Sequence, residues 1–276
     1  MPILRGVFSF IESLVLGMKT LTFSASFFEE EEEEKSGSRK AEKRAGAQKP
    51  APTEEEQKKK EKRQENALMG GTVAISIVLA VAIFMVLPYY ISVFFQRFIT
   101  SQTLLALLEG VIRLTIFIGY VAAISLMPDI KRVYMYHGAE HKCINCIEKG
   151  RPLTVHNVMR SSRLHKRCGT SFIFFVMLVS IVLFFFIQVD NVAEKVILRI
   201  LLMPVVAGIS YEIIRLAGRT DNVFIKILSA PGMWIQRMTT REPDESMAEV
   251  AIASVEAVFD WKKYLQDTFG YEVDES

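Results

Sequence analysis

Four long runs of apolar residues alternate with blocks of charged and polar residues along the chain. The runs cover residues 73–95, 104–127, 171–187 and 196–216. A helix of roughly 20 residues crosses the hydrocarbon of a bilayer, and the third run is the shortest that still fits. The pattern predicts an all-α polytopic membrane protein with four transmembrane helices, placed in a membrane domain over residues 67–220.

The chain before the first run divides into two segments. Residues 1–28 are apolar but carry Arg5, Glu12 and Lys19 at seven-residue spacing, near one face of a helix. This spacing predicts an interfacial amphipathic helix lying on the bilayer. The alternative is a fifth span with paired charges. Residues 29–66 have almost no large apolar side chain, which predicts a disordered charged linker or a frayed, solvated helix.

The distribution of basic residues predicts the orientation. The loops 96–103 and 188–195 hold one basic residue each, whereas the block before the first run, the loop 128–170 and the tail after the last run are rich in Lys and Arg. The positive-inside rule therefore places both termini and the loop 128–170 in the cytoplasm of a cell-membrane protein. The lipid bilayer is the expected partner; the net charge of +2 predicts no other, and nothing indicates nucleic acid.

The C-terminal region, residues 221–276, is predicted to form cytoplasmic interfacial and amphipathic helices. Residues 223–238 include Trp234 and are expected to bend where Pro231 and Gly232 interrupt them. Residues 245–265 carry apolar residues at helical spacing and predict one helix that docks on the loop or on a membrane protein partner.

Every histidine and cysteine of the chain lies between positions 137 and 168. The first five residues of this stretch, His137 to His141, match the inverted zincin pattern H-x-x-E-H. Histidines four apart on a helix point the same way and can share a zinc ion, while Glu140 can act as general base. If the second run continues as a helix past Pro128, Glu148 joins the two histidines on one face.

The later part of the stretch offers two further ligands, His165 and Cys168, just before the third run. A shell of four protein ligands would indicate a structural metal, and three ligands with water a catalytic one. Alternatively, the histidines only hydrogen-bond within a packed loop. Cys143 and Cys146 fall on the opposite side of the helix and are interpreted as small core residues rather than a redox pair, and His156 as a surface residue.

Charged residues also lie within two of the apolar runs. Glu109 and Arg113 are four apart in the second run, and Arg199, Glu212 and Arg215 lie in the fourth. Such charges are expected to pair between helices or to serve function. An alternative role for Glu212 is a carboxylate ligand that reaches the metal site from the fourth run.

Several blocks of sequence resemble one family. They are LRGVFSFIESLVLGMKTLTFSA at 4–25, YHGAEHKCINCIE at 136–148, SSRLHKRCGTSF at 161–172, the segment 203–219, and TTREPDESMAEVAIA at 239–253. Together they resemble the YqhQ-like family of bacterial integral membrane proteins, described as predicted metal-dependent enzymes of unknown function. The resemblance implies that His137, Glu140, His141, His165 and Cys168 belong to the family motifs.

The resemblance has one departure. Family members begin with a glycine-rich segment similar to GGQAVIEGVMMRG ahead of the LRG block, and this sequence starts at that block. If the segment contributes to the active site, this chain alone is expected to be inactive.

These observations favour a zinc-dependent hydrolase at the cytoplasmic membrane face, although another divalent transition metal would suit the same ligands. In this hypothesis His137 and His141 bind the metal and Glu140 is the catalytic base. The second hypothesis is a non-catalytic membrane scaffold or assembly factor with a structural metal. A transporter is the weakest, because four spans without an internal repeat are atypical of that class.

Overall fold

The computed structural model describes residues 2–41, 70–187, 192–218 and 222–270, and in these ranges all regular secondary structure is helical. We number the helices in chain order: α1 Pro2–Ala41, α2 Gly70–Phe95, α3 Gln102–Ile124, α4 Pro128–Glu148, α5 Val155–Met159, α6 Gly169–Phe186, α7 Val192–Ala217, α8 Val223–Thr239, α9 Glu245–Glu256 and α10 Trp261–Phe269. The all-α prediction is confirmed for this part of the chain.

Five of the helical stretches in the described ranges are long and apolar enough to cross a membrane. They are Arg5–Ser24, Gly70–Phe95, Gln102–Ile124, Gly169–Phe186 and Ile197–Ala217. The last four of these stretches agree with the four predicted runs to within a few residues at each end. The first, Arg5–Ser24, belongs to the N-terminal segment for which we predicted an interfacial helix. Length and composition are therefore compatible with either four or five spans.

The chain divides into two compact units, Val7–Leu87 and Met1–Gly6 with Pro88–Ser276. The described part of the first unit buries almost none of its large apolar side chains, as Phe8 and Ile75 illustrate. Apolar surface on this scale needs non-aqueous surroundings. Helix α1 continues to Ala41, so the beginning of the predicted linker 29–66 is helical, and its remainder lies outside the described residues.

In the second unit α6 packs against α3, α7 and α8. The centre of this bundle is a cluster of buried apolar side chains: Phe174, Phe175, Ile214 and Ile235. Helix α8 contains Pro231 but is continuous, contrary to the predicted interruption. A proline in a helix removes one backbone hydrogen bond, and the burial of Ile235 and the close contact between Gly232 and Ser171 of α6 offset that loss.

The charges in the apolar helices are paired. Glu109 is 1 % exposed and accepts hydrogen bonds from Arg113 at 2.9 Å and from Arg199 of α7 at 2.5 Å. Glu212 accepts from Arg5 at 2.8 Å and from Arg215 at 3.3 Å. The predicted pairing between helices is therefore confirmed.

A polar layer of helices α4, α5, α9 and α10 has a core of its own. The core contains the small side chains Ala139, Cys143, Cys146, Ala248 and Ala251 and the large ones Ile147, Leu153, Val158, Trp261 and Leu265. The interpretation of Cys143 and Cys146 as core residues is confirmed. The alternation of small and large side chains lets α9 approach α4 closely, which fixes α4 from the side opposite its histidines.

Two helix boundaries differ from what the sequence analysis considered: the second run does not continue past Pro128, which was only a condition there, and the single helix predicted over 245–265 is wrong. Helix α3 ends at Ile124 and α4 starts afresh at Pro128, because proline lacks the N–H that a continuing helix needs but fits a first turn. The segment 245–265 forms two helices, since the Asp260 side chain accepts a hydrogen bond from the N–H of Lys263 and caps a new helix.

Candidate metal centre

Helix α4 presents His137 and His141 one turn apart, and main-chain carbonyls fix both rings. Nδ1 of His137 lies 2.9 Å from the carbonyl O of Thr239, at the end of α8. Nδ1 of His141 lies 2.7 Å from the carbonyl O of Arg163, in the loop before α6. A carbonyl only accepts, so each Nδ1 carries the proton and each Nε2 can bind a metal.

Cys168 brings a thiol to the same place from the residue that precedes α6. Its Sγ lies 3.4 Å from Nε2 of His137 and 3.1 Å from Oγ1 of Thr170. The ligand atoms of His137, His141 and Cys168 all lie within 4.8 Å of one another. Neighbouring ligand atoms around a tetrahedral zinc are about 3.3–3.6 Å apart, so a small contraction would fit one ion.

The electrostatics of the cluster favour a cation between the sulfur and the imidazoles. Burial by itself raises the pKa of the Cys168 thiol, but hydrogen bonds from His137, His141 and Thr170 outweigh it and lower the pKa to about 5. Burial also opposes the charge on His137, yet Cys168 and the Thr239 carbonyl raise the pKa of that imidazole. The metal-free cluster therefore favours a thiolate and an imidazolium, with a proton where a metal cation would bind.

His165 and Glu148 form a pair of their own beside the cluster. Nε2 of His165 lies 3.2 Å from Oε2 of Glu148, and Oε1 of the same carboxylate accepts a hydrogen bond from Arg167. The hydrogen bond from His165 and the charge of Arg167 lower the pKa of the Glu148 carboxyl. The ring of His165 is centred 5.8 Å from that of His141, so this pair lies next to the three candidate ligands, and its own predicted role in metal binding stays a prediction.

The other two predicted site residues lie in different surroundings. Glu212 is engaged by Arg5 and Arg215 on α7. Glu140 is exposed on α4, and its charge contributes to the raised pKa of His137. Its predicted role as general base and that of Glu212 as a ligand stay predictions.

The remaining thiols and histidine behave as predicted. Burial raises the pKa of Cys143 to about 12 and also raises the pKa of Cys146, so both are inert thiols at neutral pH. His156 is exposed and contacts Arg160.

Sequence reasoning missed three supports of the centre: the carbonyls of Thr239 and Arg163 and the hydroxyl of Thr170. Every residue has a carbonyl, so no side-chain pattern could have indicated the first two. Thr170 follows Cys168 by two residues, and only the turn into α6 brings its hydroxyl to the sulfur.

Fold and site together define a class: a protein that is helical over its described residues, with membrane-length helices and a His₂Cys candidate metal centre formed by α4 of the polar layer and the residue that precedes α6. The chain belongs to the family described as "Protein of unknown function (DUF1385)", whose profile matches residues 1–261. It is 40 % identical over 173 residues to the "Uncharacterized protein YqhQ" of Bacillus subtilis (strain 168), a match that covers 62 % of this chain. The match spans 54 % of that relative, about half of its length. The resemblance to YqhQ-like proteins is thereby confirmed, and no solved structure matches the chain.

Proposed function

We propose that this chain is a multi-pass membrane metalloprotein in which His137, His141 and Cys168 bind one zinc ion. The observation that carries the proposal is the convergence of two carbonyl-oriented imidazoles on one thiol of lowered pKa. Two nitrogens and a thiolate form a borderline-soft ligand set that suits Zn²⁺, and other divalent transition metals bind such sets with different affinity.

The proposed topology has four spans, α2, α3, α6 and α7, with the start of α1 lying at the membrane interface. Both termini and the polar layer are then cytoplasmic. The basic residues around α4 and α8 support this orientation. Reporter fusions after Phe95 and after Gly270 test it: the first should report the outside of the membrane and the second the cytoplasm. A second fusion that reports the outside would contradict the topology.

The proposed metal would have three protein ligands, the number typical of catalytic zinc sites. Three protein ligands leave a fourth position for water, as in zinc hydrolases, and a metal lowers the pKa of bound water. Glu140 lies one residue from His141 and acts in this proposal as the general base. The substrate class would be a hydrolysable bond presented at the cytoplasmic membrane face.

A structural metal is the second candidate, because the three ligands come from two separate elements. His137 and His141 belong to α4, whereas Cys168 begins α6. An ion bound to all three would cross-link the polar layer and the helical bundle that contains α6, and such rigidity would suit a scaffold or assembly factor. Glu140→Gln separates the candidates: a hydrolase keeps its metal and loses function, whereas a structural site keeps both.

Elemental analysis of protein purified in mild detergent and reloaded with Zn²⁺ tests the metal itself. We expect about one zinc per chain in the wild type and less than about a tenth of that in His137→Ala, His141→Ala or Cys168→Ala. The matched controls are His156→Ala, an exposed histidine, and Cys146→Ala, a buried cysteine of the separate core. A wild type without stoichiometric metal, or an equal loss in the controls, would refute the proposal.

Cobalt substitution then tests the sulfur ligand. Co²⁺ bound by a thiolate has an intense sulfur-to-metal charge-transfer band, which Cys168→Ser should lose while Cys146→Ala keeps it. Retention of metal in His165→Ala and in Glu212→Gln would show that neither residue is required as a ligand.

A further inference from the structure

A cleft of about 610 Å³ opens between α8 and the loop before α6. Three cations line it: Lys166 from the loop, and Lys226 and Arg237 from α8. None of the described residues that line it is acidic. The ligand atoms of the metal centre do not line it, so the cleft is a separate feature of the molecule.

The rest of the lining is amphipathic. Trp234 is half exposed at the cleft, next to the apolar side chains of Pro231 and Met233. Ser229 also lines the cleft and is only 5 % exposed, and its hydroxyl has no hydrogen-bond partner among the described residues. A buried hydroxyl without a partner costs free energy unless a ligand supplies one.

A close contact between α8 and α6 determines where the cleft lies relative to the membrane. Gly232, in the middle of α8, packs against Ser171, in the first turn of α6. In the proposed topology α6 spans the membrane, so its first turn lies where hydrocarbon gives way to headgroups. Tryptophan is enriched at this depth, which fits the exposure of Trp234.

We propose that this cleft binds the phosphate of an anionic phospholipid. The phosphate oxygens accept hydrogen bonds from Lys226 and Arg237 and from the Ser229 hydroxyl, and the acyl chains follow Trp234 and Met233 into the bilayer. Lysine and arginine side chains at this depth attract anionic lipid, each increasing binding about fivefold. The inference rests on the proposed membrane placement of α6, and it does not require the metal.

Tryptophan fluorescence measures this binding directly, because the chain has only two tryptophans, Trp234 and Trp261. In the Trp261→Phe background Trp234 is the only emitter. In mixed micelles, brominated phosphatidylglycerol should quench it at a much lower mole fraction than brominated phosphatidylcholine. Lys226→Gln with Arg237→Gln should raise the phosphatidylglycerol fraction needed by about 25-fold. Equal quenching by the two lipids would overturn the proposal.

The matched control removes two exposed lysines elsewhere, Lys131→Gln with Lys263→Gln, and should keep the preference for phosphatidylglycerol. If inorganic phosphate at millimolar concentration relieved the quenching, the cleft would be a site for free phosphate and the lipid proposal would fall. Trp261 lies in the core of the polar layer, so the Trp261→Phe substitution changes that core. Native mass spectrometry of the wild type therefore gives an independent measure of lipid binding. Phosphatidylglycerol should remain on the wild type and on the control variant after delipidation, and should leave the Lys226 and Arg237 variant.

Zinc content measured on the same samples keeps the two proposals apart. Loss of the lipid preference with zinc retained refutes the lipid site alone. Absence of zinc with the lipid preference retained refutes the metal centre alone.

Discussion

Iodoacetamide should modify Cys168 of the metal-free protein with a pH dependence unlike that of the other two cysteines. The structure assigns the Cys168 thiol a pKa of about 5 and the Cys143 thiol a pKa of about 12, against an ordinary value of 9.0. Only the thiolate reacts, so the rate at each cysteine follows its deprotonated fraction. The perturbation is a change of pH from about 4 to about 8 after removal of metal with a chelator.

The expected size of the effect follows from two opposing factors. At pH 7 about 99 % of a thiol of pKa 5 is deprotonated but only about 1 % of a thiol of pKa 9, a factor of about 100. Nucleophilicity falls with pKa, and a four-unit decrease costs a factor of about 40–100. The two factors nearly cancel, so the absolute rate at pH 7 does not reveal a lowered pKa. The pH profile of the rate does, because the rate at Cys168 should rise up to about pH 5 and stay constant above about pH 6.

Tryptic digestion separates the thiols for mass spectrometry. Cleavage after Lys142 and Lys149 releases Cys143 and Cys146 on one peptide, and cleavage after Arg167 places Cys168 at the start of another. We expect a plateau for Cys168 and almost no modification of the other peptide in the folded protein. Cys168 is 5 % exposed, so its plateau rate should lie below that of a free thiolate. A rate at Cys168 that rises tenfold per pH unit between pH 6 and pH 8 would refute the assigned pKa. Added Zn²⁺ should protect Cys168 alone.

Three further predictions concern stability in detergent micelles, measured as the midpoint of unfolding by heat or by SDS. Glu109→Gln removes the buried carboxylate charge that pairs with Arg113 and Arg199 and should cost about 3–5 kcal/mol; an unchanged midpoint would contradict a stabilising role of these two ion pairs. Gly138→Ala drives a methyl group into the Arg241 carbonyl and should cost about 1–3 kcal/mol and weaken metal binding, whereas Gly119→Ala, which meets open space, should do neither. Because the pKa of Glu148 is lowered, its carboxylate stabilises the fold above pH 4.5, the ordinary pKa, and this contribution is lost as pH falls through the lowered pKa. Glu148→Gln should therefore flatten the pH dependence of the unfolding midpoint in that pH range. An unchanged pH dependence would count against this role of Glu148.

Hydrophobicity predicted the positions of the long apolar helices well because a helix that can span a membrane must be both long and apolar. The ends of α3, α6 and α7 lie within a few residues of the predicted runs. Hydrophobicity did not predict where α4 and α10 begin, because side-chain chemistry at single positions determines these boundaries. Pro128 suits the first turn of α4, where its missing N–H needs no partner, and Asp260 divides the last amphipathic segment by capping its second half.

The candidate site was predictable in part, for a reason that lies in helical geometry. A spacing of four fixes the relative directions of His137 and His141 wherever α4 is placed. Which residue joins the two histidines as a third candidate ligand depends on how the loop before α6 folds back. That loop brings Cys168 to the two histidines and turns His165 towards Glu148, and only tertiary packing makes this choice.

The two carbonyls that orient the histidines have a consequence for mutagenesis. Any amino acid at positions 163 and 239 supplies the same main-chain acceptor, so the hydrogen bonds to the two imidazoles do not depend directly on the identity of either side chain. Both side chains have contacts of their own: Arg163 donates to the Thr240 carbonyl and pairs with Glu242, and the Thr239 hydroxyl lies 3.3 Å from that of Thr170. An alanine at either position would therefore test these side-chain contacts and not the carbonyl, whereas a single inserted residue next to either would turn an imidazole away from the sulfur.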